Sequence, residues 1–349
     1  MLKFPPVPRR RPRPCGLTIH PSLGCNVGCA YCYLWEMGLI VPSPQVNPLP
    51  PGRLILELKR NPYFVESRRG TFLALGSLGE PFLTPQIAER TLEYLSALRG
   101  LGNPLQVSTK LTLPPDDRLA GVNVLVTVVA WESYRLLEPA APPPWDRLDS
   151  AAEAAQVGAV PTLFVRPIIP GVTLNELPDI LDYARKSGIE SVVFGSLRVS
   201  PQILKRLRKA GVDVSEIERR VKAPLRGGEQ VYVSSADLKA RAMEEARRRG
   251  MIALGSACCA SALAHGVPCF DVRWLYRTCT GCPNDCLSKI PRKSEVLSLL
   301  DEWGLKGRVE GGRVILSPES WSRLRGPDRH RLEVLTRRIV VRGGGPGGT

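Results

Sequence analysis

No apolar run in this sequence reaches the roughly 18 residues that a membrane-spanning helix needs. No transmembrane helix is therefore expected. The first residues, Met1 to Pro14, are Pro-rich and carry Arg9, Arg10, Arg11 and Arg13. They lack the apolar central region of a secretory signal. The segment reads as a solvated basic arm, and the protein as cytoplasmic with no membrane partner. Asn and Gln are scarce, at 7 and 6 residues, which fits a heat-adapted composition. Acidic residues are also in the minority. Against 48 Lys and Arg stand 33 Asp and Glu, leaving a net charge of +15 and a pI near 9.6. Such a field attracts polyanions, chiefly nucleic acid such as tRNA or DNA, although many basic proteins bind none.

The 349 residues suffice for one large α/β domain and a smaller appendage. Hydrophobic content, 43%, is that of an ordinary globular core. The ten cysteines are unevenly spread. Cys15 stands alone, Cys25, Cys29 and Cys32 lie together, and six fall between Cys258 and Cys286. Two metal-ligand groups explain this better than a disulfide framework, which would staple distant loops.

The first group reads Gly24-Cys25-Asn26-Val27-Gly28-Cys29-Ala30-Tyr31-Cys32-Tyr33, a C-x3-C-x2-C spacing. Three thiolates on one short loop can hold three irons of a [4Fe-4S] cluster and leave the fourth open. A structural zinc site would use four ligands and favour C-x2-C pairs. The spacing resembles the signature of the radical S-adenosylmethionine (radical SAM) enzymes. The resemblance implies that SAM binds the open iron and is cleaved to a 5′-deoxyadenosyl radical, with electrons from an external donor.

Short apolar runs read as strands over Leu17–His20, Thr71–Gly76, Leu105–Thr109, Val122–Val129, Val160–Arg166 and Glu190–Ser196. Their weak alternation suits strands buried on both faces of a parallel sheet. Helical spacing fills Thr84–Arg99, Pro144–Val157 and Leu174–Ser187. Thr84-Pro85 is a fitting start for the first, and Gly158 and Gly188 fit just beyond the other two. Six βα units point to a parallel, barrel-like α/β sheet. The resemblance implies a partial (β/α)6 TIM-like barrel. The cysteine loop follows the first strand, and the loops after strands are where such barrels do chemistry.

The expected organisation is a basic arm (1–14), a partial barrel (15–200) and a basic helical extension (201–255). A Cys-rich C-terminal extension (256–290) follows. A small basic α+β tail (291–342) comes next, with a hairpin turning at Gly311-Gly312 and a winged-helix flavour. Residues 343–349 read as disordered. Residues 201–250 hold 13 Lys or Arg against 7 Asp or Glu, read as solvated helix faces.

After the second strand comes Gly76-Ser77-Leu78-Gly79-Glu80-Pro81-Phe82, which is similar to the superfamily's Gly-Gly-Glu-Pro element, with Leu78 in place of its first Gly. That likeness implies that Gly79 and Glu80 bind the SAM amino group, as a carboxylate at a glycine turn can. Ser108, Thr109 and Lys110, at the end of the third strand, are implied SAM or substrate ligands; solvated strand caps are the other reading. Leu137-Glu138-Pro139, Ala141-Pro142-Pro143-Pro144, Arg147-Leu148 and Arg166-Pro167-Ile168-Ile169-Pro170-Gly171 resemble the spore photoproduct lyase-like branch. The resemblance spans about 15–200. It implies adenine contacts from Pro167, Ile168 and Ile169 and from the Tyr31 backbone. It also implies a hydrogen-donating cysteine outside the cluster. Cys15, Cys258 and Cys259 are the unassigned thiols, and buried structural thiols are the other reading of each.

The second cysteine group offers Cys269, Cys279, Cys282 and Cys286. Four thiolates suit a second [4Fe-4S] cluster or a structural zinc. In a chain already equipped for iron–sulfur chemistry the cluster is the favoured reading. His265 reads as a loop histidine.

Three functions compete. The first is a radical SAM enzyme on nucleic acid, a DNA-repair lyase or an RNA-modifying enzyme. The second is a radical SAM enzyme on a peptide or small molecule with an auxiliary cluster. The third is a non-catalytic, zinc-stabilised nucleic-acid-binding protein, which leaves Gly79-Glu80-Pro81 without a role.

Overall fold

The computed structural model describes residues 2–13, 15–277 and 283–344. Seven strands make one sheet: β1 (Leu17–Ile19), β2 (Leu73–Leu75), β3 (Leu105–Thr109), β4 (Asn123–Thr127), β5 (Val160–Ile168), β6 (Ser191–Ser196) and β7 (Ile252–Leu254). Their order in the sheet is their order in the chain. Every neighbouring pair is parallel. The sheet ends at β1 and β7, so it is a partial TIM-like barrel with two open edges.

The helices between strands form where the sequence places their signals. Helix α1 covers Pro51–Lys59 and α2 Pro85–Arg99. The Thr84 hydroxyl accepts from the Ile87 N–H, capping α2. Helix α3 (Pro144–Gln156) and α4 (Thr173–Lys186) stop just before Gly158 and Gly188, both at positive φ. Helices α5 (Pro201–Lys209) and α6 (Ala236–Arg248) follow. All six helices bury apolar faces against one side of the sheet. Leu92, Leu95, Leu148, Ile180 and Leu181 meet Val107, Val124, Val126, Leu163 and Val165 there.

Alternate strand residues face the other way, as the period of two requires. Leu125, Phe164, Val193 and Leu254 form a second apolar surface, covered by helix α7 (Ala257–Ala264) through Ala260. The expected six-stranded barrel therefore gains a strand and an inner helix. Three residues of β7 are too short a run to read as a strand, and β6 supplies their pairing.

The arm is not free in solvent as expected. Leu2, Phe4 and Val7 pack on the main core. The Asn61 amide donates to the Pro8 and Arg10 carbonyls. The tail has a small core of its own, built on α8 (Lys293–Glu302), a hairpin of β8 (Gly307–Glu310) and β9 (Arg313–Leu316), α9 (Pro318–Arg323), α10 (Gly326–Thr336) and β10 (Ile339–Arg342). The hairpin turns at Gly311-Gly312, as expected, and β10 adds a parallel third strand. Among the described residues no helix is long and apolar enough to cross a membrane.

Candidate functional site

The cysteine loop leaves β1 and is held from several sides. The Cys25 N–H donates to the Leu39 carbonyl at 2.9 Å, and the Ala30 N–H to the Leu137 carbonyl at 2.8 Å. Arg206 donates to the carbonyls of Ala30 and Cys32, at 3.2 and 3.0 Å. Cys25 and Cys29 are buried and Cys32 half-buried, and all three are free thiols. Backbone N–H groups of Val27 and Leu34 donate to the sulfurs of Cys25 and Cys32, at 3.5 and 3.4 Å. Burial pushes the Cys25 thiol up to about 11 and raises Cys29 and Cys32 as well.

The Gly-Glu-Pro element touches this loop directly. The Gly24 N–H donates to the Leu78 carbonyl at 2.9 Å, and Gly24 and Gly79 form a parallel bridge. Only glycine fits at position 79. A Cβ there would stand 2.5 Å from Ser22 Oγ and 2.9 Å from the Gly24 carbonyl oxygen.

Glu80 is buried. Its carboxylate accepts from the Thr109 hydroxyl and, at 3.1 Å, from the Lys110 N–H. Burial raises its pKa above the usual carboxylate range despite those donors. The Ser108 hydroxyl donates to the Gly76 carbonyl at 3.2 Å. Lys110 Nζ lies 5.4 Å from the centre of the Tyr31 ring. Burial pulls this ammonium down, but Cys29, Glu138, Glu80 and Cys32 outweigh burial and hold it above the ordinary lysine range. Glu80, Thr109, Lys110 and the cysteine loop thus share one site, as the sequence places them.

Two residues of this site were read from the sequence only as parts of a resemblance. Glu138 and Arg147 form a fully buried ion pair, 2.6 Å apart. The other Glu138 oxygen accepts from the Tyr31 hydroxyl. Tyr31, between two cysteines of the triad, is thereby braced through its side chain. The local signal was a charge among apolar neighbours, Leu137-Glu138-Pro139 and Arg147-Leu148. Ile168 and Ile169 are fully buried in the main core, and a cis peptide precedes Pro167. Adenine contact from the two isoleucines would need surface that they do not expose.

Neighbouring Cys15, Cys259 and Cys269, with burial, push the Cys258 thiol above the ordinary range. Cys286 is buried and packs with Leu275 and Cys269, whereas Cys279 and Cys282 lie outside the described residues. His265 is a structural residue: its Nε2 accepts from the Leu105 N–H at 3.1 Å. Among the described residues no three His, Cys, Asp or Glu side chains already stand around a single metal ion.

The triad nevertheless suits a [4Fe-4S] cluster. Three unpaired thiols share one loop, two receive backbone N–H groups, and a buried ammonium faces them. Such donors and charges are how proteins hold and tune these clusters.

A parallel, sequentially ordered partial barrel with a cysteine loop after its first strand defines the class of fold. Solved structures of spore photoproduct lyase share the fold. The complex with dinucleoside spore photoproduct matches 65% of this chain and 71% of its own, at TM-score 0.53 and 17% identity. A variant with bound AdoMet and the same dinucleoside matches 69% and 76%, at 0.53 and 16%. A single-site variant matches 71% and 76%, at 0.55 and 18%. At these identities the likeness is one of fold. No protein-family model matches the sequence, and no curated protein matches it significantly.

Proposed function

We propose that this chain is a radical SAM enzyme that acts on nucleic acid. The observation that carries the first half is the direct hydrogen bonding of Gly24, the residue before Cys25, to the Leu78-Gly79 turn. It joins an iron-binding triad to a carboxylate turn, on a fold shared with spore photoproduct lyase. Cys25, Cys29 and Cys32 would hold the cluster, and Gly79, Glu80, Ser108, Thr109 and Lys110 would line the SAM end. A cluster held there would supply, with an electron from an external donor, the reductive chemistry that cleaves SAM. Lys110 offsets negative charge beside the triad. Thr109 and the Lys110 N–H orient the Glu80 carboxylate toward an incoming ammonium. Glu138 and Arg147 keep Tyr31, and with it the loop, in place.

Cations near the loop support the second half. Arg166 and Arg198 both act on Tyr33, the residue after Cys32, and Arg13 acts on Arg198. Burial, then Arg166 and Arg13, lower the Arg198 pKa below the usual range. Among the described residues none of the three has a carboxylate within ion-pair distance. Like charges held together without counterions favour an anionic ligand. The Arg198 guanidinium also stacks 4.0 Å from the centre of the exposed Tyr232 ring. Cations interleaved with exposed aromatics suit phosphates and unstacked bases.

The test is anaerobic reconstitution with iron and sulfide, reduction, and assay of SAM cleavage to 5′-deoxyadenosine and methionine. Cleavage by wild type and none by the Cys25/Cys29/Cys32→Ala variant is expected. No cleavage by loaded, reduced wild type would refute the enzyme reading. Salt-sensitive binding of single-stranded DNA or tRNA supports the nucleic-acid substrate. Its absence would favour a peptide or small molecule.

A further inference from the structure

We propose that the cavity between the basic arm and helix α10 is a nucleotide site, with the base inside and the phosphate at the mouth. The cavity holds about 230 Å³. Arg11 and Arg13 of the arm form one wall, and residues 270–273, after α7, a second. His330, Glu333 and Val334 of α10 form the third. None of these residues belongs to the cysteine triad or to the Gly79-Glu80 turn, so the cavity is a separate site. The proposal extends the nucleic-acid half of the proposed function and rests on no SAM chemistry.

Size and lining select the base. Pockets for drug-sized ligands run to roughly 300–1,000 Å³. This one is smaller and takes a single base with its sugar. Phe270, Val272 and Val334 are buried and give it apolar walls for a flat ring. The ring edge needs polar partners, and two are present. The Asp271 carboxylate can accept from a base N–H. Its Oδ1 already accepts from the Arg273 N–H at 2.9 Å, which fixes its orientation. His330 supplies a donor. Its Nδ1 accepts from Arg11 Nε at 3.2 Å, so the ring proton sits on Nε2. His330 is 6% exposed, and Nε2 has no hydrogen-bond partner among the described residues. A buried N–H without an acceptor is costly. A ring nitrogen or carbonyl oxygen of a base in the cavity would supply one.

Arginines at the mouth select the phosphate. Arg11 is committed, since it donates to Glu333 at 2.9 Å. Arg13 and Arg273 are exposed, and among the described residues neither has a carboxylate within ion-pair distance. Two uncommitted guanidinium groups beside one cavity match the oxygens of a phosphate in charge and geometry. A purely apolar ligand would leave both without a partner. The contacts of Arg11 with His330 and Glu333 hold the arm against α10. The walls therefore stand before a ligand arrives, which lowers the ordering cost of binding.

The test is calorimetric titration of the full-length protein at low salt with the four 5′-mononucleotides, their nucleosides and inorganic phosphate. At least one mononucleotide should bind roughly ten-fold more tightly than its nucleoside and than inorganic phosphate. Arg13→Gln and Arg273→Gln, both at exposed positions, should each weaken it by roughly ten-fold. Arg331→Gln, at an exposed arginine of α10 outside the cavity lining, should leave the affinity unchanged. A 5′-phosphorylated single strand that binds more tightly than the mononucleotide would assign the site to strand ends, and one that binds more weakly would assign it to free nucleotides. No mononucleotide binding, or equal losses in all three variants, would overturn the proposal. So would phosphate that binds as tightly as the nucleotide, because the base would then not use the cavity. Salt-sensitive strand binding that persists in those cases keeps the nucleic-acid reading, and SAM cleavage is read separately.

Discussion

Arg147 donates to Glu138 at 2.6 Å, with neither side chain exposed. The pair binds helix α3 to the segment that also receives the Ala30 N–H through Leu137. Arg147 further donates to the Thr127 carbonyl at the end of β4, at 3.0 Å, and to the Pro142 carbonyl at 2.7 Å. One guanidinium thus links sheet, helix and cysteine loop.

Removing one partner of this pair leaves the other charge buried and uncompensated. Glu138→Ala should cost about 3–5 kcal/mol of stability. Denaturant midpoints read the loss, and iron content after reconstitution should fall with it because Tyr31 loses its brace. Unchanged midpoint and iron content would show that the pair does not hold the loop.

Gly79→Ala sets a methyl group against the Gly24 backbone, which cannot swing aside. A destabilisation of about 1–3 kcal/mol is expected from overpacking. The same shift should separate Glu80 from the loop and lower SAM affinity in equilibrium dialysis. A variant as stable as wild type, with equal SAM affinity, would show that the close approach is not needed.

Arg166→Gln and Arg198→Gln should each weaken binding of single-stranded nucleic acid. The slope of log affinity against log salt should shrink by about 0.7 for each phosphate that is no longer neutralised. Titration at several salt concentrations measures this. Slopes equal to wild type would remove both arginines from the proposed phosphate-binding surface.

Stability should fall in mild acid. Burial, with Arg11 and Arg337 nearby, lowers His330 from 6.5 to about 4. Its Nδ1 accepts from Arg11 at 3.2 Å, so the native ring is neutral. The unfolded chain takes up this proton below pH 6.5 and the native chain only near pH 4. Stability is therefore complete above pH 6.5 and is lost progressively between 6.5 and 4, by up to about 3 kcal/mol. Burial lowers His20 to about 4 as well. Melting of wild type and His330→Gln at pH 7 and pH 4.5 should show a smaller loss in the variant. Equal losses would remove His330 from the effect.

Long strands and capped helices were legible because each carries its own signal. Val160–Arg166, the Thr84-Pro85 start of α2 and the Gly311-Gly312 turn needed only local chemistry. Strand β7 and the inner position of α7 were not legible. Three residues become a strand only beside β6, and an Ala-rich helix has no periodicity that says which sheet face it covers. The arm was misread because its arginines outweigh Leu2, Phe4 and Val7 in composition, although those three do the packing.

Sequence alone determined the triad, the Gly79-Glu80 turn and their place after consecutive strands. Those depend on covalent spacing and strand order, which the chain carries along its length. Tertiary structure decided the rest. It paired Glu138 with Arg147 behind Tyr31. Such partners are chosen by closure of the sheet. No local pattern records which buried charge will find which.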